Sequence, residues 1–245
     1  MDKVQNPKLA GSGLIDCIPQ TGRCPNNCLE CYYNGGGFFT DKKTPLVPTL
    51  EEVGDKIVRI NSGHDSNIQK ELVLKVTSKY PKKFYNTSLP NFDFPGPVVF
   101  TCNGRDTDYS ALMVIRDLEN LMHVRFRTNT WNLDLLGEVI SFYVYRHNVP
   151  VTITFMRYTD PTNIPVGHMK YYDFRRSILN MYYCLCKEKQ VEILEKYGLE
   201  NKMVGVCGTV ESSRCRDCRR CEWAYERIVH RFRWNSLLEE AQRLS

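Results

Sequence analysis

The sequence predicts an α/β fold built on a parallel sheet, and two observations carry that expectation. Apolar, β-branched runs alternate with stretches of helical spacing through most of the 245 residues, as in repeated strand–helix units. A cysteine-rich loop stands directly after the first strand run, at the end of a strand, where α/β barrels place their reactive loops. The length suffices for one large α/β domain with a real core.

The elements follow in order. Residues 13–19 read as a short strand, and the cysteine loop follows at once. Thr49-Leu50-Glu51-Glu52 is a capping box: the threonine oxygen satisfies an early N–H and the glutamate reaches back. Leu50, Val53, Ile57 and Ile60 continue from it at helical spacing, which predicts a helix. Residues 65–80 predict a second helix, with Leu72, Val73 and Val76 inward. The stretch 81–97, rich in Pro, Asn and aromatics, reads as a long loop.

Residues 97–102 then form the second expected strand, running into Asn103, Gly104, Arg105 and Asp106, with a helix over 109–121. Residues 123–129 alternate polar and apolar as a third strand, and a helix runs from near Asn132 to His147. Residues 149–156 are a buried strand with Arg157 at its end. Helices are expected over 173–187 and up to Gly198, a C-cap residue. Residues 203–206 are a fifth strand, and a helix over 223–233 ends the pattern.

Composition narrows the function classes. Hydrophobic content of 42% and charged content of 25% are those of an ordinary globular chain. No apolar run approaches the length of a spanning helix, so no membrane segment is expected. Met1 to Ala10 are polar, so no secretory signal is expected. The net charge of +5 is too mild to name a partner. Eleven cysteines fall mostly into two tight groups, whose spacing suits a metal better than a disulfide network. A reduced, cytoplasmic, metal-binding protein is the expectation.

The first group is Cys24, Cys28 and Cys31, spaced C-x3-C-x2-C. Three thiolates on one short loop suit three irons of a [4Fe–4S] cluster and leave the fourth iron open. Structural zinc asks for four ligands, usually in paired C-x2-C knuckles, and fits this spacing less well. The loop resembles the signature of the radical S-adenosylmethionine (SAM) superfamily, C-x3-C-x-φ-C. The usually aromatic φ position is Glu30, and Tyr32 and Tyr33 follow directly.

That resemblance implies a partial, TIM-like (β/α) barrel, and five strands suit an open, incomplete barrel. It implies that SAM chelates the open iron and that an external electron donor such as flavodoxin or ferredoxin reduces the cluster. The SAM molecule then breaks to a 5′-deoxyadenosyl radical that takes hydrogen from a substrate. Tyr32 and Tyr33 would supply the adenine contact. Asn103, Gly104 and Asp106 would occupy the loop after strand two that meets the SAM amino group. Asn129 suits either the ribose or a turn that caps the next helix. Arg157 suits the SAM carboxylate, a substrate anion or a surface salt bridge.

The second group, Cys207, Cys215, Cys218 and Cys221, is spaced C-x7-C-x2-C-x2-C and satisfies a full four-thiolate site. Its core is similar to ferredoxin-type loops, so an auxiliary [4Fe–4S] cluster is expected, with zinc as the alternative. It is similar in kind to the SPASM and Twitch extensions of radical SAM enzymes. The division expected is a partial barrel over 1–206 and an auxiliary segment over 207–245. Cys17, Cys102, Cys184 and Cys186 read as small packing residues rather than ligands.

Seven arginines run from Arg214 to Arg233, interleaved with Trp223, Tyr225 and Phe232 and followed by Trp234. They suit phosphate and base contact, or a solvated helix face that balances an anionic cluster. The leading expectation is therefore a radical SAM enzyme acting on a nucleotide or a nucleic-acid base. A peptide-modifying radical SAM enzyme and a non-enzymatic zinc or Fe–S nucleic-acid-binding protein are the alternatives.

Overall fold

The computed structural model describes residues 5–26, 28, 43–102, 118–176, 181–198, 202–208 and 211–244, with side chains to 237. The strands in chain order are β1 (Leu14–Cys17), β2 (Ile57–Ile60), β3 (Lys83–Thr87), β4 (Val98–Cys102), β5 (Leu121–Thr128), β6 (Val151–Phe155), β7 (Arg157–Tyr158), β8 (Tyr172–Arg176), β9 (Met181–Leu185) and β10 (Val204–Val206). The helices are α1 (Leu50–Val53), α2 (Lys70–Thr77), α3 (Leu133–Ile140), α4 (Lys187–Tyr197), α5 (Cys215–Cys218) and α6 (Arg220–Leu244). A π-helical turn over Ser141–Arg146 prolongs α3.

Seven strands form one parallel sheet in the order β1-β2-β3-β4-β5-β6-β10, curled into a half-barrel. Each strand lies beside its predecessor, so right-handed crossovers put their connections on one, convex side. There Val58, Ile60, Phe100, Val124, Phe126 and Ile153 pack in one core with Val73 of α2, Leu136 and Val139 of α3, and Ile193 of α4. The concave face needs another cover.

At the N-terminal ends of the strands that cover is α6. Ala224 and Ile228 pack on Leu14, Ile57, Phe84 and Val99. The start of α6 is also stitched to both sides of the half-barrel. Glu222 accepts a 3.0 Å hydrogen bond from the backbone N–H of Gly13, just before β1. Arg220 donates to Thr152 Oγ1 at 3.1 Å, to the Val151 carbonyl at 2.9 Å and to the Met203 carbonyl at 3.3 Å, at the feet of β6 and β10. A Cβ on Gly205 would stand 3.1 Å from the Arg220 guanidinium carbon, so this glycine makes room for the bridge.

Five expectations are corrected. The capping box at Thr49 and Glu52 forms, but the helix it starts lasts one turn. Gly54, at φ 51°, ends it, and Ile57–Ile60 is a strand buried along its whole length. The expected loop over 81–97 contains β3, whose Phe84 and Tyr85 are fully buried on opposite faces of the sheet. The strand over 97–102 is therefore the fourth, not the second, and the loop holding Asn103, Gly104 and Asp106 follows the fourth strand. The helix expected over 173–187 is replaced by β8 and β9, which pair antiparallel with β7 in the order β7-β9-β8. Alternation explains that pairing: Tyr158, Tyr172 and Leu185 enter the core, while Arg157, Arg175, Tyr182 and Cys184 share the other face. Cys184 thus lies on a strand and Cys186 caps α4. In α2, Val73 is buried but Leu72 is 40% exposed.

Among the described residues no helix is long and apolar enough to cross a membrane.

Candidate active site

Above the layer covered by α6, the concave face opens into a cavity of about 350 Å³ at the C-terminal ends of the strands. Its wall brings the two cysteine groups together. Cys24 and Cys28 line it from the loop after β1, and Cys207 and Cys215 line it from the segment after β10. Cys31, Tyr32 and Tyr33 lie outside the described residues, as do Asn103, Gly104 and Asp106.

The first cysteine loop is held by groups that no local motif announces. Ile18 pairs with Leu46 through two backbone hydrogen bonds of 2.7 and 2.9 Å, which fix the exit from β1. Gln20 Nε2 donates to the carbonyls of Asp65 at 3.2 Å and Ile68 at 2.8 Å. Asp65, buried in the loop after β2, is the hub. Its Oδ2 accepts from Asn26 Nδ2 at 3.0 Å, from Ser88 N at 2.6 Å and from Ser88 Oγ at 2.9 Å. Its Oδ1 accepts from Thr87 Oγ1 and Asn67 N, both at 2.9 Å. Cys28 Sγ lies 3.8 Å from Ser88 Oγ, so one carboxylate reaches the thiol through a single serine.

The second group has its own small chamber of about 30 Å³, lined by Cys207, Cys215, Cys218 and Cys221 together with His123 and Arg125. The single turn α5 carries Cys215 and Cys218, and Cys218 Sγ donates to the Val206 carbonyl at 3.6 Å. Burial pushes the thiols of Cys215 and Cys218 up and that of Cys221 up to about 11, so a metal here would have to displace protons. His123 is fully buried with both ring nitrogens unpartnered. Burial, then Arg125 and Arg220, hold it well below the usual histidine range and so neutral. Four thiols around a neutral, unpartnered imidazole suit a metal or cluster, because soft sulfur donors and a nitrogen donor face one space. Among the described residues no group of three or more His, Cys, Asp or Glu closes on a single ion.

The strands supply the polar wall between the two groups. Thr101, Arg125 and Thr152 stand in register across β4, β5 and β6, and Arg127 stands beside Thr154 one layer higher. Asp16 binds Arg59 through two bonds of 2.6 and 3.1 Å in a buried pair. Buried atoms of Asn61, Asn86, Arg125 and Thr154 meet this cavity without a partner among the described residues. An unpaired buried polar group costs about 1–3 kcal/mol, so this wall is built for a polar ligand.

Arg157 lines the cavity and rests against the Tyr182 ring at 4.9 Å. Asn129 is fully buried and is not part of the wall. Its Oδ1 accepts a 2.6 Å bond from Tyr158, and its backbone N–H donates to Asn132 Oδ1 at 2.8 Å, the hydrogen bonding of a turn residue. Sequence reasoning missed Asp65, Ser88 and His123. The alternation His123-Val124-Arg125-Phe126-Arg127 does put the three polar residues on one strand face. No family model, no curated protein and no solved structure matches the chain.

Proposed function

We propose that this chain is a radical SAM enzyme with an auxiliary metal centre, acting on a small polar substrate of the nucleotide kind. The observation that carries the reading is the place of Cys24 and Cys28. Two thiols of a C-x3-C-x2-C loop face the cavity at the C-terminal ends of a parallel half-barrel. Cys24, Cys28 and Cys31 would hold a [4Fe–4S] cluster, which would supply an electron and an open iron for SAM cleavage and hydrogen abstraction from the substrate.

The remaining work falls to the chain. Asp65 and Ser88 fix the cysteine loop at the cavity wall. Since β2 is the second strand, the loop matching the family's SAM amino-group site is Asn61 to Asp65, which lines the cavity. The curled sheet and α6 shield the chamber from below, which protects a reactive radical from solvent. Cys207, Cys215, Cys218 and Cys221 would hold the auxiliary centre, an electron relay or a structural support, and a flavodoxin or ferredoxin would reduce the SAM-binding cluster.

The test is anaerobic. Reconstituted protein is reduced with dithionite, given SAM, and assayed for 5′-deoxyadenosine by mass spectrometry. Product from the native chain and none from Cys28→Ala is expected. Product from that variant would overturn the ligand assignment. A protein that takes up zinc and no iron would overturn the reaction class.

A further inference from the structure

The small antiparallel sheet turns one face to the cavity, and that face presents two arginines to it. Arg157 and Cys184 are cross-strand partners on β7 and β9, and Arg175 and Tyr182 are partners on β8 and β9. Strand alternation puts all four on one side together with the exposed Asp173, and the four, unlike Asp173, line the cavity. The Tyr182 ring supports the Arg157 guanidinium at 4.9 Å, and stacking leaves the N–H donors at its edge available.

Two other arginines of the wall face the buried side of the site. Arg59 is bound to Asp16 and acts on the thiols of Cys215 and Cys221, and Arg125 acts on that of Cys221. The wall's acids are engaged as well: Asp65 is saturated by its loop, and Glu211 pairs with Lys187 at 3.4 Å. Arg157 and Arg175 make no ion pair among the described residues; both act on the Cys184 thiol, which the carboxylate of Asp173 also faces. Two guanidiniums that make no ion pair and converge on one cavity suit a doubly charged ligand with several acceptor oxygens better than a single carboxylate.

We propose that Arg157 and Arg175, with Tyr182 as the platform for Arg157, form a phosphate cradle that holds a phosphate-monoester substrate in the cavity. A cavity of about 350 Å³ that must also admit SAM favours a small, free phosphate ester over a polymer. The inference rests on the reading above for what becomes of the ligand, whereas binding itself is read without any SAM cleavage.

The experiment is calorimetric titration of the full, anaerobically purified chain, with and without saturating SAM. The probes are inorganic phosphate, ribose 5-phosphate, the four nucleoside 5′-monophosphates and their nucleosides. At least one phosphate ester should bind at least about tenfold more tightly than its dephosphorylated form. Arg157→Gln and Arg175→Gln should each remove about tenfold of that affinity and leave binding of the dephosphorylated form unchanged. Circular dichroism of each variant keeps loss of fold apart from loss of binding, and Arg175, an exposed strand residue, is the variant least bound to the core. Equal affinity with and without phosphate, binding of none of the esters, unaltered affinity in both variants, or displacement of the ester by SAM would each overturn the cradle. Failure of SAM cleavage alone would overturn the reaction class and leave the cradle standing.

Discussion

The Asp65 carboxylate takes both donors of Ser88, the backbone N–H at 2.6 Å and the hydroxyl at 2.9 Å, and Ser88 in turn stands 3.8 Å from the Cys28 thiol. Two loops, after β2 and after β3, thereby set the position of a third. Asn26 joins them through a 3.0 Å bond to the same carboxylate oxygen. Asp65→Asn keeps the shape but places an amide N–H₂ against groups that are themselves donors. The loss of charged hydrogen bonds should cost about 2–3 kcal/mol of stability, read as a shift in the urea midpoint. Iron bound at the first site should fall while the second group keeps its metal, since none of these contacts touches residues 207–221. Metal analysis and electron paramagnetic resonance of the reduced protein separate the two. An unchanged first-site signal would remove Asp65 from its positioning role.

Gly205 and Arg220 make a steric pair that locks α6 to the far side of the half-barrel. A Cβ at 205 would lie 3.1 Å from both the Cζ and an Nη of the guanidinium, closer than a relaxed contact. Gly205→Ala should push Arg220 off its carbonyl acceptors and destabilise the fold by about 1–3 kcal/mol. Arg220→Met should also destabilise, because it leaves the carbonyls of Val151 and Met203 and the Thr152 hydroxyl without that donor. If the two residues act as a unit, the double variant should cost less than the sum, measured by a double-mutant cycle in chemical denaturation.

Much of this architecture is written in local pattern. β1 with its cysteine loop, the capping box at Thr49, and the strands β4, β5, β6 and β10 carry their own spacing signals. β2 does not, because it is buried throughout and Leu50, Val53, Ile57 and Ile60 happen to repeat at helical intervals across the break at Gly54. The β8–β9 pair runs straight into the helical residues of α4, so its alternation is masked by the charged run that begins at Lys187. The Asp65 hub is illegible for a different reason: Ser88 and Asn26 lie 23 and 39 residues away, and only the fold brings them together. The inner row of arginines is visible as alternation, but its direction depends on the curl of the sheet, which no single strand encodes.

The two cysteine groups share the wall of the large cavity, but all four C-terminal thiols also line a small chamber that Cys24 and Cys28 do not, which makes their chemistry separable. Cys218 lines only the small chamber, and its thiol is tied to the Val206 carbonyl rather than to the first loop. Cys218→Ala should therefore lower bound iron by about half, the share of one of two equal clusters, and leave the first site's reduced spectrum in place. Cys28→Ala should do the reverse and abolish 5′-deoxyadenosine. Stability should respond differently too. The second group sits where the foot of α6 meets β10, so losing its metal should loosen α6 and lower the thermal midpoint, whereas Cys28→Ala acts on a loop outside that core. Iron content that is unchanged in Cys218→Ala would show that the C-terminal thiols carry no iron, and parallel zinc analysis of the same samples identifies the metal they hold instead.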